Sequence, residues 1–330
     1  MKKRKQFYFI ILLNLVSIST FGQDINWIKK SDTPIPISKA KAAIVDGKIY
    51  VIGGISPQSQ GFSTANYEYD PKTDSWTRKK DIPTGRINYA IAVVLGKIYV
   101  IGGDPFMNKV EVYDPKTNTW DSVSSMPTPR QHVSCAVVAD KVYVIGGLEN
   151  VCCPPFPERC NWEKCTKISD KNQVFDPKTG NWETLKSMPS PRHGHDIISV
   201  NGKIYAIGGM GNKASMWTPL NTVEEYDPLA DTWTKKKEMP TARDGFGYSV
   251  QNNKIYLFGG WVTEQLQTNK TIVYDTNTNI WTVSTNIPVK TGAFAYATIG
   301  DKVYFFGGDK EDYSEIYSFN YEGMVLNREK

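Results

Sequence analysis

KIYVIGG, Lys48 to Gly54, is the stretch that decides the fold, because the chain repeats it five more times: KIYVIGG (Lys97 to Gly103), KVYVIGG (Lys141 to Gly147), KIYAIGG (Lys203 to Gly209), KIYLFGG (Lys254 to Gly260) and KVYFFGG (Lys302 to Gly308). Counted from the first glycine of each pair, the copies lie 49, 44, 62, 51 and 48 residues apart. That period is the size of one propeller blade, a unit too thin to bury both of its faces alone. Blades packed side by side cover one another, and closing the ring leaves no exposed end. Length alone favours two domains. The repeat overrides that prior and predicts one domain over residues 23–330.

Each repeat reads as four antiparallel strands. In the second they are NYAIAVVLG, KIYVIGG, KVEVYDP and TWDSVSS. Tight turns such as Asp46-Gly47, Asn201-Gly202 and Asn252-Asn253 join the first two strands. The third strand ends in an aspartate, and a tryptophan follows six residues later in five repeats: Asp70 and Trp76, Asp114 and Trp120, Asp176 and Trp182, Asp227 and Trp233, Asp275 and Trp281. Aspartate bonds its own turn backbone, so these residues read as structural, and the recurrent Tyr and Trp as packing between blades. The glycine pair marks backbone that must approach a neighbour more closely than a Cβ allows. The sixth repeat offers a third strand, Tyr313 to Phe319, but no tryptophan. Trp27 in INWIKK replaces it, so the N-terminal segment is expected to form the outermost strand of the last blade and close the ring.

The paired glycines, the spaced tyrosine and tryptophan and the period resemble kelch repeats over essentially the whole of residues 23–330. The resemblance implies an all-β six-bladed propeller. It leaves function open, because kelch propellers serve as binding adaptors, sugar-active enzymes and accessories that channel substrates. A copper radical oxidase and exported sialic-acid mutarotases also use the scaffold. This chain has one blade fewer than the former, and beyond the repeat it carries no motif specific to the latter.

Lys2, Lys3, Arg4 and Lys5 precede an apolar run from Phe7 to Val16, and small and polar residues continue to Gly22. This reads as a signal peptide over residues 1–22, too short to span a bilayer, so the protein is expected to be exported to the periplasm or the extracellular space without a membrane span. Without those four cations the charge falls from +5 to +1, with 35 Lys and Arg against 34 Asp and Glu. No basic footprint for nucleic acid remains.

In an antiparallel meander, the segments leading into the first strands share one face with the long, varied loops after the glycine pairs. Four lead-in segments carry an arginine, Arg86, Arg130, Arg192 and Arg243. Lys39 in the first repeat and Thr291 in the sixth stand in the same place. Such a ring suits carboxylates or hydroxyl-rich ligands, since a guanidinium offers a planar fork of donors. The competing reading is a structural latch on carbonyls and aspartates of the next blade. Trp217 and Trp261 in the loops extend the candidate binding surface. His132, His193 and His195, all in lead-in segments, form with Asp196, Asp244 and Glu264 the only acid-base collection on that face and are the candidate catalytic residues.

The 62-residue spacing reflects an insertion, residues 148–173, with Cys152, Cys153, Cys160 and Cys165. In an exported chain two disulfides are the simplest reading; zinc competes weakly, for want of a C-x-x-C pair. Cys135 reads as a buried thiol. No metal or cofactor is called for. The expectation is a monomeric binding module for a protein or carbohydrate, with a sugar isomerase or mutarotase-type enzyme as the alternative.

Overall fold

The computed structural model describes residues 26–59, 61–150, 166–211, 217–308 and 324–327. All regular structure in them is β: six four-stranded antiparallel sheets, with one small three-stranded sheet beside the third. Blade 1 is Lys41–Val45, Lys48–Ile52, Asn66–Asp70 and Ser75–Arg78, in that spatial order, and blades 2 to 5 repeat the meander. Blade 6 takes Ala295–Ile299, Lys302–Phe306 and Met324–Asn327, then Asn26–Lys29 as its outer strand.

Ring closure by the N-terminal strand is therefore present, with Trp27 opposite Leu326. The third strand of that blade is Met324–Asn327. Tyr313 to Phe319, expected in that role, lies outside the described residues, as do residues 1–22 and all four cysteines of the insertion.

The conserved-looking text of each repeat has a physical counterpart. The two-residue turns at Asp46-Gly47, Asn201-Gly202 and Asn252-Asn253 have both residues at positive φ, as a hairpin twisting with its strands requires. In blades 1 to 5 the aspartate ending the third strand accepts the backbone N–H two residues on, for example Lys72 on Asp70 and Lys116 on Asp114. The tryptophan indoles reach the preceding blade: Trp120 donates to the Lys80 carbonyl at 2.8 Å and Trp281 to that of Lys237 at 2.9 Å. Trp76 does the same to Ser31, just past the strand Asn26–Lys29. Apolar side chains from adjoining sheets fill the space between blades, as where Ile52 and Tyr50 of blade 1 meet Ile98 and Val100 of blade 2.

The glycine pairs couple the blades. In all six, the second glycine donates its N–H to a carbonyl in the lead-in segment of the next blade: Gly54 to Arg86, Gly103 to Arg130, Gly147 to Arg192, Gly209 to Arg243, Gly260 to Thr291 and, across the closure, Gly308 to Ile37, at 2.9 to 3.3 Å. This series places Ile37, not Lys39, in register with the arginines. A Cβ on Gly147 would lie 2.7 Å from the Gln131 carbonyl, at a φ of +100°. Gly147→Ala is therefore expected to cost more than about 2 kcal/mol in denaturant unfolding. Gly47→Ala, at φ +74° in a turn with nothing within 4 Å, should cost only the left-handed backbone penalty of about 1 kcal/mol.

Candidate functional site

The lead-in segments and the loops after the glycine pairs pair with each other, at Ser38 with Ile55, His193 with Met210 and Asp244 with Trp261. They thus surround one mouth of the central channel. In blade 3 this pairing grows into a three-stranded sheet, Arg130–Gln131, Leu148–Asn150 and Thr166–Ile168, the stem of the insertion.

The four arginines do not face that mouth. Arg86, Arg130 and Arg192 are fully buried and Arg243 is 1% exposed. Their guanidinium groups grip their own blades: Arg86 donates to the Gly102 and Lys109 carbonyls, Arg130 to those of Gly146 and Lys171, Arg243 to those of Gly259 and Lys270. Arg86 and Arg192 also pair with buried Glu111 and Glu224, whereas Arg130 meets the amide oxygen of Gln173 at 2.7 Å. The expected ring of ligand-binding cations is corrected to a latch, and a latch within the blade on carbonyls and glutamates, not on aspartates of the next one. A fully buried side chain folded back onto its own strand ends presents no donor fork to a ligand at the mouth. Burial holds Arg243 down to about 10, and Arg130 likewise against the opposing field of Glu149.

What does line the mouth is a different set. Two residues before each first strand the backbone turns left-handed, at Lys39, Asn88, His132, Gly194, Gly245 and Ala293, with φ between 51° and 63°. These six positions ring a cavity of about 980 Å³. The next residue of each segment, among them Tyr89, His195, Phe246 and Phe294, lines it one level deeper. The floor is a contact across the channel, in which Tyr296 of blade 6 donates its hydroxyl to Asp196 of blade 4 at 3.3 Å. Tyr248 packs edge-on against Tyr296 at 5.1 Å. Below the floor a second cavity of about 550 Å³ runs on, and the two share Lys41, Tyr89, Val133, Asp196 and Tyr296.

Trp217 is 45% exposed and stands over the histidines, 5.3 Å from the His193 ring, which in turn lies 5.3 Å from His132. Trp261 is buried at 8%, its indole held where only glycines at 245 and 292 leave room. It forms a cavity wall and not an outward contact. His195 is 3% exposed and neither ring nitrogen makes a well-formed hydrogen bond, although the Ile145 main chain lies near enough to favour its charged form. Burial, then the field of Arg192, keeps it neutral.

Burial also pushes the Asp196 carboxyl up to about 6, against the opposing pull of Lys41. Asp244 rises further, to about 7, by burial and by the like charge of Asp196. The cavity thus holds two carboxyls able to exchange protons near neutrality and a neutral imidazole. Among the described residues no three of His, Cys, Asp and Glu converge as metal ligands. Sequence reading found the histidines, Asp196 and Asp244, but missed Lys41, Tyr248 and Tyr296. Their shared signal was their place: each lies at or just inside the start of a first strand.

Two measurements test these assignments. Arg192→Ala leaves Glu224 buried without its cation and is expected to cost about 3–5 kcal/mol in denaturant unfolding, and Arg192→Ala with Glu224→Ala distinctly less; a single-variant cost near zero would return Arg192 to the ligand site. For Asp244 the folded carboxyl titrates at about 7 against 3.8 unfolded, so the native state keeps a proton that the unfolded chain releases. Its contribution is therefore greatest below about pH 4 and is lost as pH rises through about 7. The melting temperature of Asp244→Asn relative to the parent should climb across that window and level off above it.

Two family descriptions match the chain: the KLHDC2/KLHL20/DRC7 Kelch-repeats domain over residues 2–147 and 39–241, and the Kelch motif over 242–287. Beta-scruin of Limulus polyphemus is 30% identical over 91 residues, 27% of this chain and 10% of that protein. Kelch-like protein 24 of Rattus norvegicus is 33% identical over 92 residues, 28% of this chain and 14% of its own. The matched stretch is thus a small part of either relative. The solved structure titled "Structure of YjhT" superposes with a TM-score of 0.69 at 19% identity, covering 90% of this chain and 95% of that one, a likeness of fold. With its repeats matched over most of its length, the chain belongs to the kelch-repeat family.

Proposed function

We propose that this propeller is a binding module whose ligand is a small carbohydrate seated in the cavity at the channel mouth. The observation that carries the reading is the shape of the site: not a flat face, but a concave volume of about 980 Å³, open at the mouth, with Trp217, Trp261, Phe246 and Phe294 as walls and Asp196, Asp244, Asn88 and Gln265 among them. Aromatic faces take the apolar C–H faces of a sugar ring, while carboxylates and amides accept and donate to its hydroxyls. The kelch propeller as an architecture suggests an interaction module, and a protein partner would engage the rim, where Trp217 and Glu264 are exposed.

The neighbouring carboxyls and His195 favour a second reading, an isomerase or mutarotase-type enzyme moving a proton on the bound sugar. In either case we take the protein to be exported after loss of residues 1–22, to act as a single propeller domain from residue 23 onward and to work as a monomer.

Trp217→Ala tests the site. Its indole is half exposed, so stability should change by less than about 0.5 kcal/mol, while capture on an array of glycans and free acidic and neutral monosaccharides should be lost. Capture that survives both Trp217→Ala and Phe294→Ala would move the ligand off the channel mouth.

A further inference from the structure

The charges around the cavity are segregated. Lys39 and Lys41 come from blade 1, at the end of its lead-in and the start of its first strand, and Asp244 and Glu264 from blade 5, two blades away around the ring. Among the described residues none of the four forms an ion pair, although lysines elsewhere find carboxylates, as Lys109 does Glu111 and Lys171 does Glu149. Asp104, the acid that feels Lys39, is taken up by the Asn88 amide at 2.7 Å. Asp196, from blade 4, is already held by Tyr296 and lies within the field of Lys41. The charged group that bears most on Asp244 is Asp196, of its own sign.

Asp244 is buried and the two lysines are half-buried, and a cavity wall that holds unpaired charges away from full solvent is stabilised by whatever supplies the missing partners. A purely anionic occupant would satisfy the lysines but oppose ionisation of Asp244, whose carboxyl already titrates at about 7. A purely cationic one would do the reverse. His195, 3% exposed with both ring nitrogens short of a well-formed hydrogen bond, lines the same cavity, and a neutral imidazole can meet either a donor or an acceptor there.

We propose that the ligand carries opposite charges, its anionic group lying against Lys39 and Lys41 and its cationic group against Asp244, with Glu264 at the rim. This inference rests on the reading of the cavity as the ligand site and narrows it from carbohydrates in general to zwitterionic ones, such as a sugar bearing both an amine and a carboxylate.

Four hexopyranoses that differ only in charge test it by titration calorimetry on the full chain: glucose, glucosamine, glucuronate and 2-amino-2-deoxyglucuronate. The zwitterion is expected to bind at least about tenfold more tightly than either singly charged sugar, the size of one charge-assisted hydrogen bond. Asp244→Asn should erase the gain due to the amine and Lys41→Met that due to the carboxylate. Equal affinity for all four sugars would overturn the inference while leaving the carbohydrate reading intact. Should no sugar bind while 6-aminohexanoate does, and hexanoate and hexylamine do not, the charge assignment stands and the carbohydrate reading falls. Binding of neither set overturns both. The parent protein alone decides between these outcomes, so a variant that fails to fold does not rescue the proposal.

Discussion

One hydrogen bond, made six times, ties the ring: the N–H of the second glycine in each pair to a carbonyl in the lead-in segment of the next blade. It forms only if two backbones approach without side chains between them. The first glycine shares this constraint. A Cβ on Gly208 would stand 2.5 Å from the Arg243 carbonyl, and one on Gly307 would overlap the Ile37 carbonyl across the closure. Both glycines of each pair also sit at positive φ, which a side chain would make strained. Steric need and backbone need coincide, which is why this doublet is the least varied part of the repeat.

The arginine latch works on the same segment from the other side. The carbonyl of Arg192 accepts from the previous blade while its guanidinium grips Thr222 and Glu224 of its own. One residue thereby links the inter-blade contact to the intra-blade one, and its burial follows from that double duty. Where the carboxylate is missing, as for Arg243, carbonyls alone hold the cation and burial drags its basicity down. A latch that varies in strength from blade to blade fits a scaffold whose sites differ in what the next residues do.

The fold was legible because its determinants are local and repeated: glycine doublets, two-residue turns, aspartate-to-tryptophan spacing. Closure was legible from Trp27, displaced from its repeat. The third strand of blade 6 was not, since the last repeat lacks the aspartate-to-tryptophan text that marks the others, and the pairing of Met324–Asn327 with Asn26–Lys29 depends on contacts between chain ends. The site was half legible. Residue types on the correct face could be read from meander topology, but whether a side chain turns inward to a carbonyl or outward to the channel depends on neighbours far off in sequence. Arg86 and Asn88 stand two positions apart, yet one is fully buried and the other lines the cavity.

That reversal over two residues also explains how a six-fold scaffold carries an asymmetric site. The left-handed turn before each first strand is imposed by the ring in every blade, and it aims whatever residue follows at the channel. The scaffold therefore fixes six positions per level and leaves their chemistry unconstrained: Lys39, Asn88, His132, Gly194, Gly245 and Ala293 at one level, with Tyr89, His195 and Phe294 among those at the next. Small residues at Gly194, Gly245 and Ala293 open the volume on the side where Trp217 and Trp261 enter from the loops. Cationic residues cluster on blade 1 and acidic ones on blades 4 and 5, so the field across the cavity points one way. A symmetric ring would cancel that field at its axis; this one does not, and the direction is set by which blade carries which side chain.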